Sequence, residues 1–189
     1  GHAVSGTGHV ATSTVNIEEN AGSAPVNYVL PPGVDRVVDP GQSTSTLLNE
    51  QAMAMTISEL EPHDAVAVYK ASGIDIRKYD NLQLFVHGEA LLDNASELKS
   101  GDLSVFIRLG KDYKDNYYEY EVPLQITPPG KYNNNSAADR LKVWPKESMI
   151  DLSLKKLTTL KKERNTEKNL PHSRVSLTTL YSTDEPEKP

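Results

Sequence analysis

The stretch that decides the fold runs from residue 103 to residue 124 and reads LSVFIRLGKDYKDNYYEYEVPL. Apolar and polar side chains alternate along both of its halves, which is the period of two expected for half-buried β-strands. The middle of the stretch, GKDYKDN at 110–116, is rich in residues that favour turns. The stretch therefore predicts two antiparallel strands, at 102–110 and 117–125, joined by a short loop.

A third strand is predicted immediately before this pair, at 82–90. Leu82, Leu84 and Val86 alternate there with polar and aromatic residues, and turn-forming residues separate this segment from the next strand. Successive strands joined by short turns are usually neighbours in a sheet. We therefore expect three consecutive antiparallel strands whose Leu, Val, Ile and Tyr side chains face a core.

The rest of the chain adds weaker signals, which together indicate an all-β fold. We predict further strands at about 50–58, 64–71 and 174–182. One short helix is predicted near 153–164, where leucines recur at a helical interval before a basic run. Many short strands with one helix favour an antiparallel two-sheet sandwich, of jelly-roll or galactose-binding-like type.

The chain divides into three parts by composition. Residues 1–27 are rich in Gly, Ser, Thr, Ala and Asn and are predicted to form a flexible lead-in or linker, with one short strand at 12–17. Residues 28–183 carry the periodic segments and are predicted to form the β-sandwich domain. The charged, Pro-containing residues 184–189 are predicted to be a frayed tail.

Composition excludes several classes of function. The 189 residues carry a formal net charge of -6, which argues against electrostatic binding to nucleic acid. No cysteine is present, so disulfide frameworks, thiolate catalysis and Cys-ligated metal sites are excluded. No apolar run approaches the roughly 18–20 residues of a membrane-spanning helix.

The predicted sheet has a second face that carries both rings and charges. If the three strands are neighbours, this candidate binding face consists of Phe85, His87, Glu89, Phe106, Arg108, Tyr117, Glu119 and Glu121. Rings that stack on a pyranose and charges that hold its hydroxyls would make it a sugar site. The alternative is a partner-covered face on which Arg108 pairs with a glutamate across the strands, with Phe85, Phe106, Arg108 and Tyr117 as candidate anchors.

The loop between the last two strands is a weak candidate for a Ca²⁺ site. Asp112, Asp115 and Asn116 offer the oxygen ligands that this hard cation prefers. Their spacing is not that of an EF-hand loop, and lysines stand among the acids. The competing interpretation is a packed aromatic corner, and we predict no other metal and no cofactor.

No motif supports catalysis. The five histidines lack the HExxH spacing, and the chain contains no GxSxG, P-loop or strand-following GxGxxG motif. Glu89 with Glu119 or Glu121 could form a carboxylate pair of the kind that hydrolyses glycosides, but carboxylates are common on sheet faces. We therefore expect a protein that is not an enzyme.

Particular strings of the sequence resemble the SprA/Sov family over about 28–180. In chain order they are YVLPPGV at 28–34, LNEQAMAM at 48–55, DIRKY at 75–79, LFVH at 84–87, VFIRLG at 105–110, DY at 112–113, DNYYEYEVPL at 115–124, VWP at 143–145, LTTLK at 157–161 and RN at 164–165. The family comprises very large cell-surface proteins of Bacteroidetes that are tied to gliding motility and type IX secretion.

The resemblance implies a non-catalytic structural or interaction domain of a large outer-membrane translocon in the cell envelope. Its expected partners are other domains of the parent protein and accessory proteins of secretion and motility, together with secreted cargo or glycans. No nucleic acid is expected, and the domain itself is not expected to span the membrane. A carbohydrate-binding module at the cell surface is the alternative.

Overall fold

The computed structural model describes residues 8–38, 41, 47–71, 73–91, 97–112 and 116–166. The elements are β1 (His9–Asn16), α1 (Ile17–Asn20), β2 (Gln51–Ser58), a 3-10 turn (Ile76–Lys78), β3 (Asn81–Leu84), β4 (Ser104–Gly110), β5 (Tyr117–Pro123), α2 (Ala137–Val143), a second 3-10 turn (Lys146–Ser148), β6 (Ile150–Ser153) and α3 (Leu154–Thr166). The strand predicted at 174–182 and the tail at 184–189 lie outside the described residues.

The described strands pair as three small antiparallel sheets, β1 with β2, β3 with β6, and β4 with β5. This confirms the β4–β5 pair predicted from the sequence. The expectation of three consecutive paired strands is wrong, because β3 pairs with β6 from Asn81↔Ser153 to Leu84↔Ile150. Small antiparallel sheets with few helices agree with an all-β class, whereas the sandwich topology stays a prediction.

Two other elements agree with the sequence and one does not. The strand predicted at about 50–58 is β2, and the helix predicted near 153–164 is α3. Residues 64–71 form no strand, so that prediction is wrong. Val68 and Tyr69 in this segment are 40% and 79% exposed. An alternating segment becomes a β-strand only when it pairs with a second strand, and no described strand pairs with this one.

One core, called here the tryptophan cluster, gathers the buried residues Val26, Tyr28, Val29, Leu30, Val143 and Trp144. Its two halves come from distant parts of the chain. The segment 26–30 is extended, and α2 delivers Val143 and Trp144 at its C-terminal end. Burying each large apolar side chain contributes about 1.5–3 kcal/mol, so this contact fastens α2 to the beginning of the predicted domain.

The second core, called here the leucine cluster, consists of the buried residues Leu152, Leu154, Leu157 and Leu160. The helical spacing of the α3 leucines places them on one side of the helix. The apolar face of β4–β5 packs against them through Leu109, Tyr118 and Tyr120. Leu82 of the β3–β6 sheet packs against the same leucines. Two sheets and one helix therefore share this core.

The predicted lead-in holds defined structure from His9 onward. The short strand expected at 12–17 is present as β1, and Asn16 at its end is buried and caps α1. The Asn16 side-chain oxygen accepts from the backbone N–H groups of Glu18 and Glu19, both at 3.0 Å. The boundary between lead-in and domain at residue 27 stays a prediction.

Candidate functional site

The face of β4–β5 that points away from the leucine cluster carries five of the eight predicted site residues. Register places Phe106 opposite Glu121, Arg108 opposite Glu119, and Gly110 opposite Tyr117. Opposing residues of an antiparallel pair share a face. These five residues therefore share one face of the β4–β5 pair, as the alternation along each strand predicts, and a binding role for this face stays a prediction.

Arg108 and Glu119 form an ion pair at the centre of this face. Arg108 Nε lies 2.6 Å from Glu119 Oε2, and the two side chains are only 10% and 13% exposed. Water screens a pair buried to this extent only weakly, so the charge-assisted hydrogen bond between the two side chains is strong. The cross-strand pairing that the sequence suggested as an alternative is thus present.

Two rings flank the Arg108 guanidinium. Its central carbon lies 4.3 Å from the centroid of the Tyr117 ring and 5.1 Å from that of Phe106. Both distances are within the range of cation–π attraction. Tyr117 and Phe106 therefore stabilise the positive charge of Arg108, a residue of the same face.

The far end of the same face is closed by Glu121. The Ser104 hydroxyl donates a hydrogen bond to the Glu121 carboxylate. Glu121 also lies directly across from Phe106 in the register. The acidic and basic groups of this face thus have partners within it, which is the chemistry of a structural surface.

Phe85, His87 and Glu89 lie elsewhere, because the β3 ladder ends at Leu84. The Phe85 and His87 rings both contact Trp144, with centroid distances of 6.5 and 5.8 Å and edge-on geometry. The expectation that all eight residues form one face is therefore corrected. Alternation brings Phe85 and His87 to the same side, but that side faces the tryptophan cluster.

His87 is held at this position by a defined hydrogen-bond network. Its Nδ1 lies 2.8 Å from the Val143 carbonyl oxygen, so this nitrogen carries a proton and donates. Its Nε2 lies 3.4 Å from Glu89 Oε2. The Thr127 hydroxyl oxygen lies 3.3 Å from the same Nδ1, and the hydroxyl donates to the Lys142 carbonyl oxygen at 3.3 Å. His87 thereby connects the segment after β3 to the end of α2.

Trp144 is the residue around which this second group is built, and the sequence analysis did not assign it a role. Its indole N–H donates to the Val29 carbonyl at 2.8 Å, and its ring meets Tyr28 edge-on at 6.0 Å. Burial, together with the Glu50 carboxylate that accepts from the Tyr28 hydroxyl, raises the pKa of Tyr28. The one available signal was that the chain has a single tryptophan.

Arg140 is a second structural residue that sequence reasoning missed. Its guanidinium donates to the carbonyl oxygens of Leu30, Pro31 and Val34. These carbonyls surround the Pro-Pro-Gly turn, in which the N–H of Val34 donates to Pro31 and Gly33 has φ +76°. Glycine reaches that conformation without steric cost. Arg140 therefore fastens the turn to α2.

A cavity of about 430 Å³ opens beside Trp144. Its lining residues are Pro32, Phe85, Leu141, Trp144, Lys146, Met149 and Asp151. The walls are mostly apolar, with one ammonium and one carboxylate among them. The volume is within the range of small-molecule sites, and Phe85 is the predicted site residue that reaches it.

The candidate Ca²⁺ loop is organised by hydrogen bonds in its described part. Both Asp112 carboxylate oxygens accept from Asn116, one from its backbone N–H at 3.1 Å and one from its amide at 2.7 Å. Asp115 lies outside the described residues. Across the described ranges, no group of three or more His, Cys, Asp or Glu side chains is arranged to hold a metal ion.

The comparison with protein families assigns the chain. A family model described as SprA_N, motility related/secretion protein, matches residues 2–189. This chain belongs to the SprA_N family. The match confirms the resemblance drawn from the sequence strings, and it also covers the predicted lead-in. No curated protein matches this SprA_N chain. Its described helices include none long and apolar enough to cross a membrane.

Proposed function

We propose that this chain is a non-catalytic structural and interaction domain of a large SprA/Sov-type outer-membrane protein that acts in type IX secretion and gliding motility. The observation that carries the proposal is the match to a motility and secretion family along residues 2–189. Membership of a motility and secretion family supports a location in the cell envelope. The type IX pathway, the outer membrane and the Bacteroidetes origin are proposed on the sequence resemblance alone.

The geometry of the two sites supports a structural role. Arg108 forms an ion pair with Glu119, and its guanidinium lies over the Tyr117 ring. Arg140 holds a turn, and His87 joins two segments of backbone. Each of these groups is used to fix one element to another, as a rigid scaffold requires.

A sandwich-like arrangement of the small sheets is part of the proposal. Side chains from β3–β6 and from β4–β5 meet in the leucine cluster, with Leu82 and Leu152 on one side and Leu109 and Tyr120 on the other. Two sheets that bury facing side chains against each other form the core of a sandwich. The jelly-roll order of strands is proposed from the sequence pattern alone.

The proposed partners are other domains of the parent protein, accessory proteins of secretion and motility, and secreted cargo. The direct test is cargo secretion by the native bacterium after in-frame removal of the segment matching 28–183, with the level of the shortened parent in the outer membrane measured alongside. We expect the parent to reach the membrane while cargo stays inside. Normal secretion by a correctly localised parent would contradict a role in transport.

A carbohydrate-binding module is the second candidate, and the cavity beside Trp144 favours it. Phe85 offers a ring there, and Lys146 and Asp151 offer polar groups to hydroxyls. A glycan array with the purified chain tests this function. Binding that Phe85→Ala abolishes and Phe106→Ala leaves unchanged would support a sugar site at the cavity, because Phe106 lies on the β4–β5 face.

A further inference from the structure

The β1–β2 pair has an apolar face that the described residues leave exposed. The opposite face of the pair reaches the tryptophan cluster at its base through Val15 and Ala52, and the pairing continues to His9↔Ser58. Register places eight residues on this face: Asn16 and Gln51 at the base, then Val10, Thr12, Thr14, Met53, Met55 and Ile57. The three apolar β2 members are 64%, 37% and 37% exposed. Apolar side chains repeated along one strand at this exposure are typical of an interaction surface.

The outer edge of β2 has no strand beside it within the part of the chain that the structure describes. Among the described residues this sheet has only two strands, so β2 pairs with β1 on one side and with no strand on the other. Every second residue of an edge strand directs its backbone N–H and C=O outward. Such an edge is a template for one more strand. Two-stranded ribbons are also marginal by themselves, so a third strand would stabilise this one.

Neither strand carries the groups that normally protect an edge. The sequences HVATSTVN and QAMAMTIS contain no Asp, Glu, Lys, Arg or Pro, although charged residues make up 24% of the chain. Natural sheets protect exposed edges with charges, prolines or bulges. A charged side chain on an added strand would find no opposite charge beside it on β2, so this edge favours an uncharged strand as its occupant.

We propose that the outer edge of β2 binds an extended, uncharged strand of a different protein, which adds to the sheet by antiparallel pairing. Large apolar side chains at every second position of that strand would lie beside Met53, Met55 and Ile57, because neighbours on one face of a sheet stand about 4.5–5.5 Å apart. The strand supplies the main-chain partners that the edge needs, which lipid tails do not. This inference rests on the proposed interaction role and specifies its surface.

The test uses the full chain and a fluorescent Thr-Val-Thr-Val-Thr-Val-Thr-Val peptide with neutral Ser-Gly ends. Two further peptides are N-methylated, one on all valines and one on all threonines. Methylating alternate residues removes the N–H donors of one edge while keeping every side chain. We expect fluorescence anisotropy to show binding of the parent peptide, and a loss of at least tenfold in affinity for one methylated peptide only.

A variant of the protein provides the second arm. Met53→Lys with Met55→Lys places charges on the edge strand and should weaken peptide binding at least tenfold, while Met53→Thr with Met55→Thr should weaken it less. Circular dichroism checks folding, and if the lysine variant does not fold, the methylated peptides decide. In NMR spectra of the protein, the amide chemical shifts that change most on peptide binding should belong to residues 51–58.

Four results would overturn the proposal. They are no peptide binding, equal binding of both methylated peptides, dimers of the chain that the lysine variant dissociates, and phosphatidylcholine vesicle binding that this variant loses. The third result assigns the edge to a second copy and the fourth assigns the face to lipid. Each is independent of the secretion assay, so a failed peptide test and a failed transport role remain distinguishable.

Discussion

The guanidinium of Arg108 lies 4.3 Å from the centroid of the Tyr117 ring while its Nε contacts Glu119 at 2.6 Å. Arg108 thus contacts both Glu119 and Tyr117, which the sequence analysis predicted as separate contacts for a ligand or partner. A partner that needed Arg108 would have to displace Glu119 first. The β4–β5 face is for this reason a stabilising feature of the hairpin.

Arg108→Met should destabilise the domain by about 3 kcal/mol. Removing one member of a buried ion pair leaves the other charge without compensation, at a cost of about 3–5 kcal/mol, and the slight exposure of Glu119 favours the lower end. Urea denaturation of the purified chain measures the change. The matched control is Arg108→Met with Glu119→Met, which removes both charges and should recover most of the loss. A double variant as unstable as the single one would refute the ion pair's role.

Arg140→Ala should destabilise the protein by about 3 kcal/mol, which corresponds to one or two hydrogen bonds to a charged group. Three carbonyls around the Pro-Pro-Gly turn lose their donor, and the turn separates from α2. Arg140→Lys should restore less than half, since an ammonium is a point charge without the guanidinium fork. The fluorescence of the single tryptophan, Trp144, reports unfolding of the adjacent cluster.

Lys142→Ala is the control for this helix. Lys142 is 64% exposed and pairs with Asp139, so its loss should cost well under about 1 kcal/mol. Equal losses of stability for Arg140→Ala and Lys142→Ala would show that the loss comes from α2 itself and not from the hydrogen bonds between Arg140 and the turn.

The local part of the fold could be predicted from the sequence because its signals are local. Residues 103–124 hold both strands of β4–β5 and their loop, so alternation places Arg108 on the same face as Glu119 and Glu121, and the register then sets Glu119 opposite Arg108. The leucines of α3 likewise recur within one short segment. In each case the residues that decide the structure are close neighbours along the chain.

What could not be predicted depends on contacts between distant segments. Nothing in residues 81–84 specifies that their partner is 150–153 rather than the next strand. The alternation of Phe85 and His87 is correct, yet the ring they face is Trp144, which α2 brings to them. Helix α2 has only seven residues, several of them polar, so it is too short to show a recognisable helical periodicity.

Gly110→Ala should destabilise the β4–β5 hairpin by about 3 kcal/mol, the upper end of the cost of overpacking. A Cβ at this position would overlap the Asn116 carbonyl oxygen and lie 2.5 Å from Tyr117 Cα, and these are backbone atoms that cannot rotate away. Gly73→Ala is the control, because its Cβ would meet no atom within 4 Å. Thermal unfolding compares the two, and equal melting temperatures would contradict the close approach at Gly110.

The start of α2 should give the protein a dependence on acidic pH. The Asn133 backbone N–H that donates to Asp139 at 3.0 Å, with help from Lys142, holds the pKa of Asp139 below its ordinary value of 3.8. A carboxyl group whose pKa is lower in the folded state stabilises that state when ionised. Its contribution is complete above the unfolded pKa and is lost as pH falls through the folded one.

Asp139→Asn should therefore lower the melting temperature at pH 7, and the difference from wild type should shrink as pH falls below about 4. Lys142→Met should keep most of this pH dependence, because the hydrogen bond from Asn133 is the largest cause of the lowered pKa. Melting temperatures from pH 2 to pH 7 measure both. A constant difference between Asp139→Asn and wild type would mean that the carboxylate charge does not stabilise α2, and a Lys142→Met curve that matched Asp139→Asn would assign the effect to the ammonium instead.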